Sequence, residues 1–295
     1  MNSNVILLDG AVGTSLWEKA KNKVPVWRYN VEDPAIVIEL HKEYISAGSK
    51  IILANTFGAN GGILSKAGYS VEKVVGAGVR LAKVACQNTD VKVAFSVGPL
   101  SELVIPRADL EDEDFDEELY DTMIHPDKAR KIYDEMIDAG VKENPDYILI
   151  QTFMDIEMMA IAVESASRYD IPIGCCMSFE KSGKTMMGNS VEDMMNMLSK
   201  YPKVCAVGLN CSLGPDLALP IIKEFRKYTS LPLIFKPNAG QSSIKDGKVS
   251  HEFDIEAFVD DIVKSLEYDV TYIGGCCGSN PKYITALKAK LDSIK

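Results

Sequence analysis

Eight short apolar runs, each followed by a turn and then an amphipathic stretch, constrain the architecture of this chain more than any other feature. They cover 5–9, 50–55, 92–97, 147–152, 172–178, 204–210, 232–237 and 270–275. Near-continuous apolar composition suits strands buried on both faces of a parallel sheet. Between the first two runs, Asp33 is placed to cap a helix with Pro34 at its first position. Val37, Leu40, Tyr44 and Ala47 then recur at helical spacing, and Gly48 closes the segment. The last helix repeats the design, with Asn280 as cap, Pro281 next, and Ile284, Leu287 and Leu291 on one face. Eight βα units in 295 residues predict a (β/α)₈ TIM barrel, read as a single domain over 1–295, in preference to an open doubly wound sheet.

Polar and glycine residues cluster where such a barrel places its active site. Asp9-Gly10 follows the first run, Asn55-Thr56-Phe57-Gly58 the second and Gly98-Pro99 the third. Gln151-Thr152-Phe153 closes the fourth, Ser178-Phe179 the fifth, Asn210-Cys211 the sixth, Pro237-Asn238-Ala239-Gly240 the seventh and Cys276-Cys277 the eighth.

The cysteines carry the sharpest chemical signal. Cys276 and Cys277 are adjacent and fenced by Gly274, Gly275 and Gly278, and Cys211 ends an apolar run 65 residues earlier. Side chains of neighbouring strand residues point to opposite faces, so two adjacent thiols can serve one centre only if the backbone turns sharply. The three glycines are expected to supply that freedom. Two readings stand at this point: buried structural thiols, or a three-thiolate zinc site with one open position. Only three histidines exist, at 41, 125 and 251, and none ends a run. Cys175 and Cys176 read as core, one facing the barrel interior and the other a helix. Cys205, six residues before Cys211, lies roughly 20 Å away along a strand, too far to be a ligand. Cys86 falls on a helix. Met186, Met187, Met194, Met195 and Met197 read as core filler. An open three-thiolate site is a poor generator of hydroxide but can hold an incoming thiol as its thiolate. It therefore implies alkyl transfer to sulfur.

The net charge of −10 is mostly local: 100–125 carry ten acidic residues against one base, Arg107. This segment is either a solvated loop or a docking surface for a basic partner. Its acidity argues against nucleic acid and anionic membrane surfaces as partners. The start of the chain lacks a basic, apolar leader, and no apolar run approaches 18 residues. Seven cysteines, an odd count, suit reduced thiols in the cytoplasm.

With these motifs in view, the sequence resembles the zinc-dependent homocysteine S-methyltransferase family. Asp9-Gly10-Ala11-Val12-Gly13-Thr14 resembles the family's opening loop and Asn55-Thr56-Phe57-Gly58-Ala59-Asn60 its second-strand motif. Gly208-Leu209-Asn210-Cys211 and Gly274-Gly275-Cys276-Cys277-Gly278 carry the three zinc cysteines, and Pro237-Asn238-Ala239-Gly240 fits the seventh strand. The resemblance runs nearly end to end and implies a (β/α)₈ barrel that binds Zn²⁺ through Cys211, Cys276 and Cys277. It implies a homocysteine sulfur on the metal and its carboxylate held by amides of 10–14. The ammonium is expected near Asp9 and the fourth-strand position. Family members usually carry glutamate at that position, and this chain has Gln151. Asn55, Thr56, Asn210 and Asn238 complete the expected substrate-binding set.

The methyl donor stays open between a small sulfonium or ammonium compound and a separate methylated corrinoid protein, since no stretch is left over for a folate or corrinoid module. Methyl transfer to a different thiol and a non-catalytic thiol-binding subunit are the alternatives. A glycoside hydrolase needs two facing carboxylates, and the strand ends offer mainly Asp9, Asp155 and Glu157.

Overall fold

The computed structural model describes residues 5–112, 116–239, 243–245, 248–250 and 254–294. Gly240, His251, Glu113 and Asp114 lie outside them. Eight parallel strands form the barrel: β1 (Ile6–Leu7), β2 (Ile51–Leu53), β3 (Lys92–Val97), β4 (Tyr147–Phe153), β5 (Ile173–Met177), β6 (Val204–Asn210), β7 (Leu233–Lys236) and β8 (Val270–Ile273). Each pairs with its sequence neighbour from β2 through β8, and β8 pairs with β1 through Ile6↔Tyr272 and Leu7↔Ile273. A parallel bridge from Leu8 to Ile51 and the bond from Lys50 N to Leu7 O at 2.7 Å close the ring. A short antiparallel hairpin, Ser243–Lys245 with Lys248–Ser250, follows β7.

Two apolar layers hold the barrel. The inner one consists of side chains such as Leu8, Leu53, Leu149, Cys176 and Ile234, which alternate with outward residues along their strands. The outer one, between strands and helices, includes Phe95, Phe153, Cys175, Phe235 and Leu287. Cys175 and Cys176 thus face opposite ways, as the strand period requires. Gly208 on β6 stands opposite Ile234 on β7, and a Cβ there would lie 1.9 Å from the Ile234 carbonyl oxygen.

The two helices singled out in the sequence run over Pro34–Ser46 and Pro281–Ser293. Asn280 caps the second by accepting from Lys282 N. Asp33 precedes the first but makes no side-chain cap; Pro34 at the first position and the closing turn at Gly48, with φ +109°, define that helix instead. The methionine expectation divides. Met194 and Met195 are buried, whereas Met186 and Met187 are 69% and 44% exposed. Those two sit in the turn between Thr185 and Asn189, which is closed on itself by the bond from Thr185 N to Asn189 O and points them away from the core.

The acidic insertion is pinned to the barrel. Val104 and Ile124 form a parallel bridge, and Glu157 accepts from the Arg107 amide at 3.0 Å. Among the described residues no helix is long and apolar enough to cross a membrane.

Candidate metal centre and substrate cavity

Three loops at the C-terminal ends of β6, β7 and β8 bring the thiols together. β6 ends at Asn210, and Cys211 and Ser212 then turn into the left-handed region at φ 66° and 58°. That conformation costs a non-glycine residue on the order of 1–2 kcal/mol. It is held by bonds from Cys211 N to Lys236 O, from Leu213 N to Cys211 O and from Asn238 N to Leu213 O. The turn aims Cys211 at the end of β8. There Gly275 N donates to Asp9 O, Cys276 N to Pro237 O and Ala239 N to Cys277 O, so the two-cysteine turn is clamped between its neighbours. Of the three, only Gly278, at φ +81°, uses a conformation that favours glycine. Gly274 and Gly275 serve by lacking bulk: a Cβ would lie 2.6 Å from Asp9 O at the first and 2.2 Å from Ser279 Oγ at the second. The sharp turn expected at 274–278 is therefore made by close packing as much as by glycine freedom.

The three sulfurs lie within 4.8 Å of one another, with Cys211 Sγ and Cys277 Sγ 3.7 Å apart. A tetrahedral zinc with Zn–S near 2.3 Å has an S···S edge of about 3.8 Å. The donor set thus has the spacing and softness of a zinc site with three protein ligands. Hydrogen bonding among the sulfurs and burial push Cys211 up to about 11 and Cys276 and Cys277 up to about 12. For Cys211 the contact to Cys276 acts downward, and the contact to Cys277, burial and charge repulsion prevail over it. Three thiols gathered this closely resist ionising together, and a dication removes that resistance. Asn210 Nδ2 points at Cys276 Sγ across 3.7 Å and also donates to Thr152 Oγ1 at 2.7 Å.

The cysteines line a cavity of about 270 Å³ at the barrel mouth. Gly10, Ala11, Val12, Gly13 and Thr14 form one wall, and Asn55 and Gln151 belong to it as well. The helix Val12–Ala20 begins there without a side-chain cap, which leaves first-turn N–H groups available to an anion. Gln151 is buried and donates from Nε2 to Ser96 Oγ at 2.8 Å. Asn55 is fixed by donating to Val26 O and Asn30 Oδ1.

Four of the expected substrate residues, Asp9, Thr56, Asn210 and Asn238, are buried behind the wall. Thr56 donates to Ser96 O at 2.7 Å. Asp9 is fully buried and engaged at both oxygens: Oδ1 accepts from Lys236 Nζ at 2.7 Å and Oδ2 from Leu53 N at 2.7 Å. Burial raises its carboxyl, and Lys236 and the Leu53 amide oppose that rise.

Lys236 is the principal residue that sequence reasoning missed. Its signal was a lysine in the run Leu233-Ile234-Phe235-Lys236, at the same parity as the inward Ile234. Trp17 and Phe57 were missed too; both line the cavity and are 36% and 39% exposed. Trp17 is anchored by its indole N–H on Val24 O at 2.7 Å. At the other end of the barrel axis, Tyr147, Cys205 and Tyr272 border an apolar cavity of about 40 Å³, with room for little more than water.

Similarity to known proteins agrees with this geometry. The structure is similar to the metallated form of the homocysteine methyltransferase MmuM from Escherichia coli, with a TM-score of 0.79 at 22% identity over 98% of this chain and 97% of that one. The oxidized form of the same protein matches with the same TM-score at 23% identity and the same coverage. A dihydrodipicolinate-synthase structure (DHDPS) from Cyanidioschyzon merolae shares the barrel more distantly, with a TM-score of 0.55 at 12% identity over 99% of this chain and 75% of that one. The sequence profile described as homocysteine S-methyltransferase matches residues 6–291, nearly the whole chain, and the protein belongs to that family.

Proposed function

We propose that the protein transfers a methyl group from a small cationic donor to the sulfur of homocysteine, giving methionine, with Cys211, Cys276 and Cys277 holding a zinc ion. The observation that carries this reading is the convergence of three thiols from two strand ends on the floor of a small-molecule cavity. Zinc bound there would supply a Lewis acid that lets a thiol lose its proton at neutral pH. The chain's residues do the rest. The first-turn amides of 12–14 take the acceptor carboxylate, the Ala11 amide being held by Ser279; Asn55 and Gln151 close the wall, and Asp9, Thr56, Asn210 and Asn238 brace it from behind. In the transfer an S–CH₃ bond forms, the donor's S–CH₃ or N–CH₃ bond breaks, and its electron pair returns to the donor sulfur or nitrogen, which loses its positive charge.

Trp17 and Phe57 support a small sulfonium or ammonium donor, such as S-methylmethionine or a betaine, over a methylated corrinoid protein. Aromatic faces at a partly exposed mouth attract such cations by roughly 0.5–2 kcal/mol each. A reducing, cytoplasmic setting fits a site that needs three free thiols.

The test is metal analysis and a donor panel on the purified chain. One equivalent of zinc, lost in Cys276→Ser, together with methionine formed from homocysteine and one of these donors, supports the reading. Zinc without methylation from any donor would leave a thiol-binding role and overturn the enzymatic one.

A further inference from the structure

The charges around the cavity show which end of the acceptor it can read. Among the described residues that line it, Lys236 is the one charged side chain, and none is a carboxylate. Lys236 is itself committed, with Nζ 2.7 Å from Asp9 Oδ1 and 3.1 Å from Asp9 O. Asp9 has no exposed surface, and its second oxygen is taken by the Leu53 amide. At the end of β4, the side chain facing the cavity is the neutral amide of Gln151, tied to Ser96. Among the described residues, an ammonium entering this cavity therefore meets only neutral oxygens. A carboxylate meets the uncapped first turn of the helix Val12–Ala20.

Resting on the thiol-acceptor reading above, we infer that the site selects its acceptor by thiol and carboxylate and does not read an α-ammonium. The acceptor class is that of short mercaptocarboxylates, of which homocysteine is one member. A carboxylate in the position of Gln151 would restore discrimination, because a charged acceptor bonds an ammonium about twice as strongly as a neutral one.

The test is calorimetric binding to the zinc-loaded full chain of three thiols: L-homocysteine, 4-mercaptobutanoate, which lacks the amine, and 3-mercaptopropylamine, which lacks the carboxylate. The first two are expected to bind within about threefold of each other and the third at least about tenfold more weakly. Gln151→Glu is expected to shift the ratio toward homocysteine by several-fold to about tenfold. If wild-type protein binds homocysteine more than about tenfold tighter than 4-mercaptobutanoate, the ammonium is read and the inference is wrong. Should that variant fail to fold, the wild-type comparison decides alone. Binding of none of the three thiols would overturn the thiol-acceptor reading itself, an outcome distinct from preference for the amine.

Discussion

The Asp9–Lys236 pair shows how one residue can redefine a site. Both side chains are almost completely buried, at 0% and 2% exposure. Removing one partner of a buried pair leaves an uncompensated charge and costs roughly 3–5 kcal/mol. Lys236→Met should lose about that much in urea unfolding, while Asp9→Asn combined with Lys236→Met should recover most of it, since asparagine still accepts from Leu53 N. Additive losses in the double variant would show that the pair is not coupled. His41 makes a second prediction at this scale. Its ring is fully buried with neither nitrogen hydrogen-bonded among the described residues, and burial lowers its pKa to about 4. Between about 6.5 and 4 the unfolded chain binds a proton that the folded chain refuses, so stability falls as pH is lowered through that window, by up to about 3 kcal/mol. His41→Leu should flatten the dependence, as measured by urea midpoints from pH 4.5 to 7.5; an unchanged slope would place the titration elsewhere.

The elements show what periodicity can and cannot convey. β3 and β6 begin and end where the apolar runs do, and the remaining barrel strands fall within two residues of theirs, because a strand buried on both faces must be apolar throughout. The clustering of Cys211, Cys276 and Cys277 was legible for a different reason: thiols at strand ends beside glycines left buried thiols and a metal site both open, and the family resemblance favoured the second. Asp9's partner was not legible, since the facing of β1 and β7 across β8 is a property of the closed ring rather than of either segment. Nor was the exposure of Met186, which depends on a turn that hydrophobicity does not encode. Close strand approach yields its own prediction. With the Ile234 carbonyl 1.9 Å from a Cβ at position 208, Gly208→Ala must push β6 from β7 and misplace Cys211. A loss of more than about 3 kcal/mol, or insoluble protein, is expected. A stable, zinc-binding Gly208→Ala would contradict this packing.

At the scale of the whole molecule, a zinc ion held by the three thiols would join the ends of β6 and β8 and so couple to global stability. Zinc at 100 times its dissociation constant should add about 2.7 kcal/mol, and chelation should lower the melting temperature of wild type but leave Cys211→Ser unchanged. The barrel's polar residues gather at one mouth, its opposite end is apolar, and all three thiols open into the same cavity. The central claim is that this cavity receives a thiol as its thiolate. An unbound thiol with a pKa near 8.5 is almost wholly protonated at pH 7. Titrating L-homocysteine into zinc-loaded protein by calorimetry, in two buffers of different ionisation heat, counts the protons released on binding. The account predicts saturable binding with close to one proton released; saturable binding without proton release, or no binding by fully metallated protein, would contradict it.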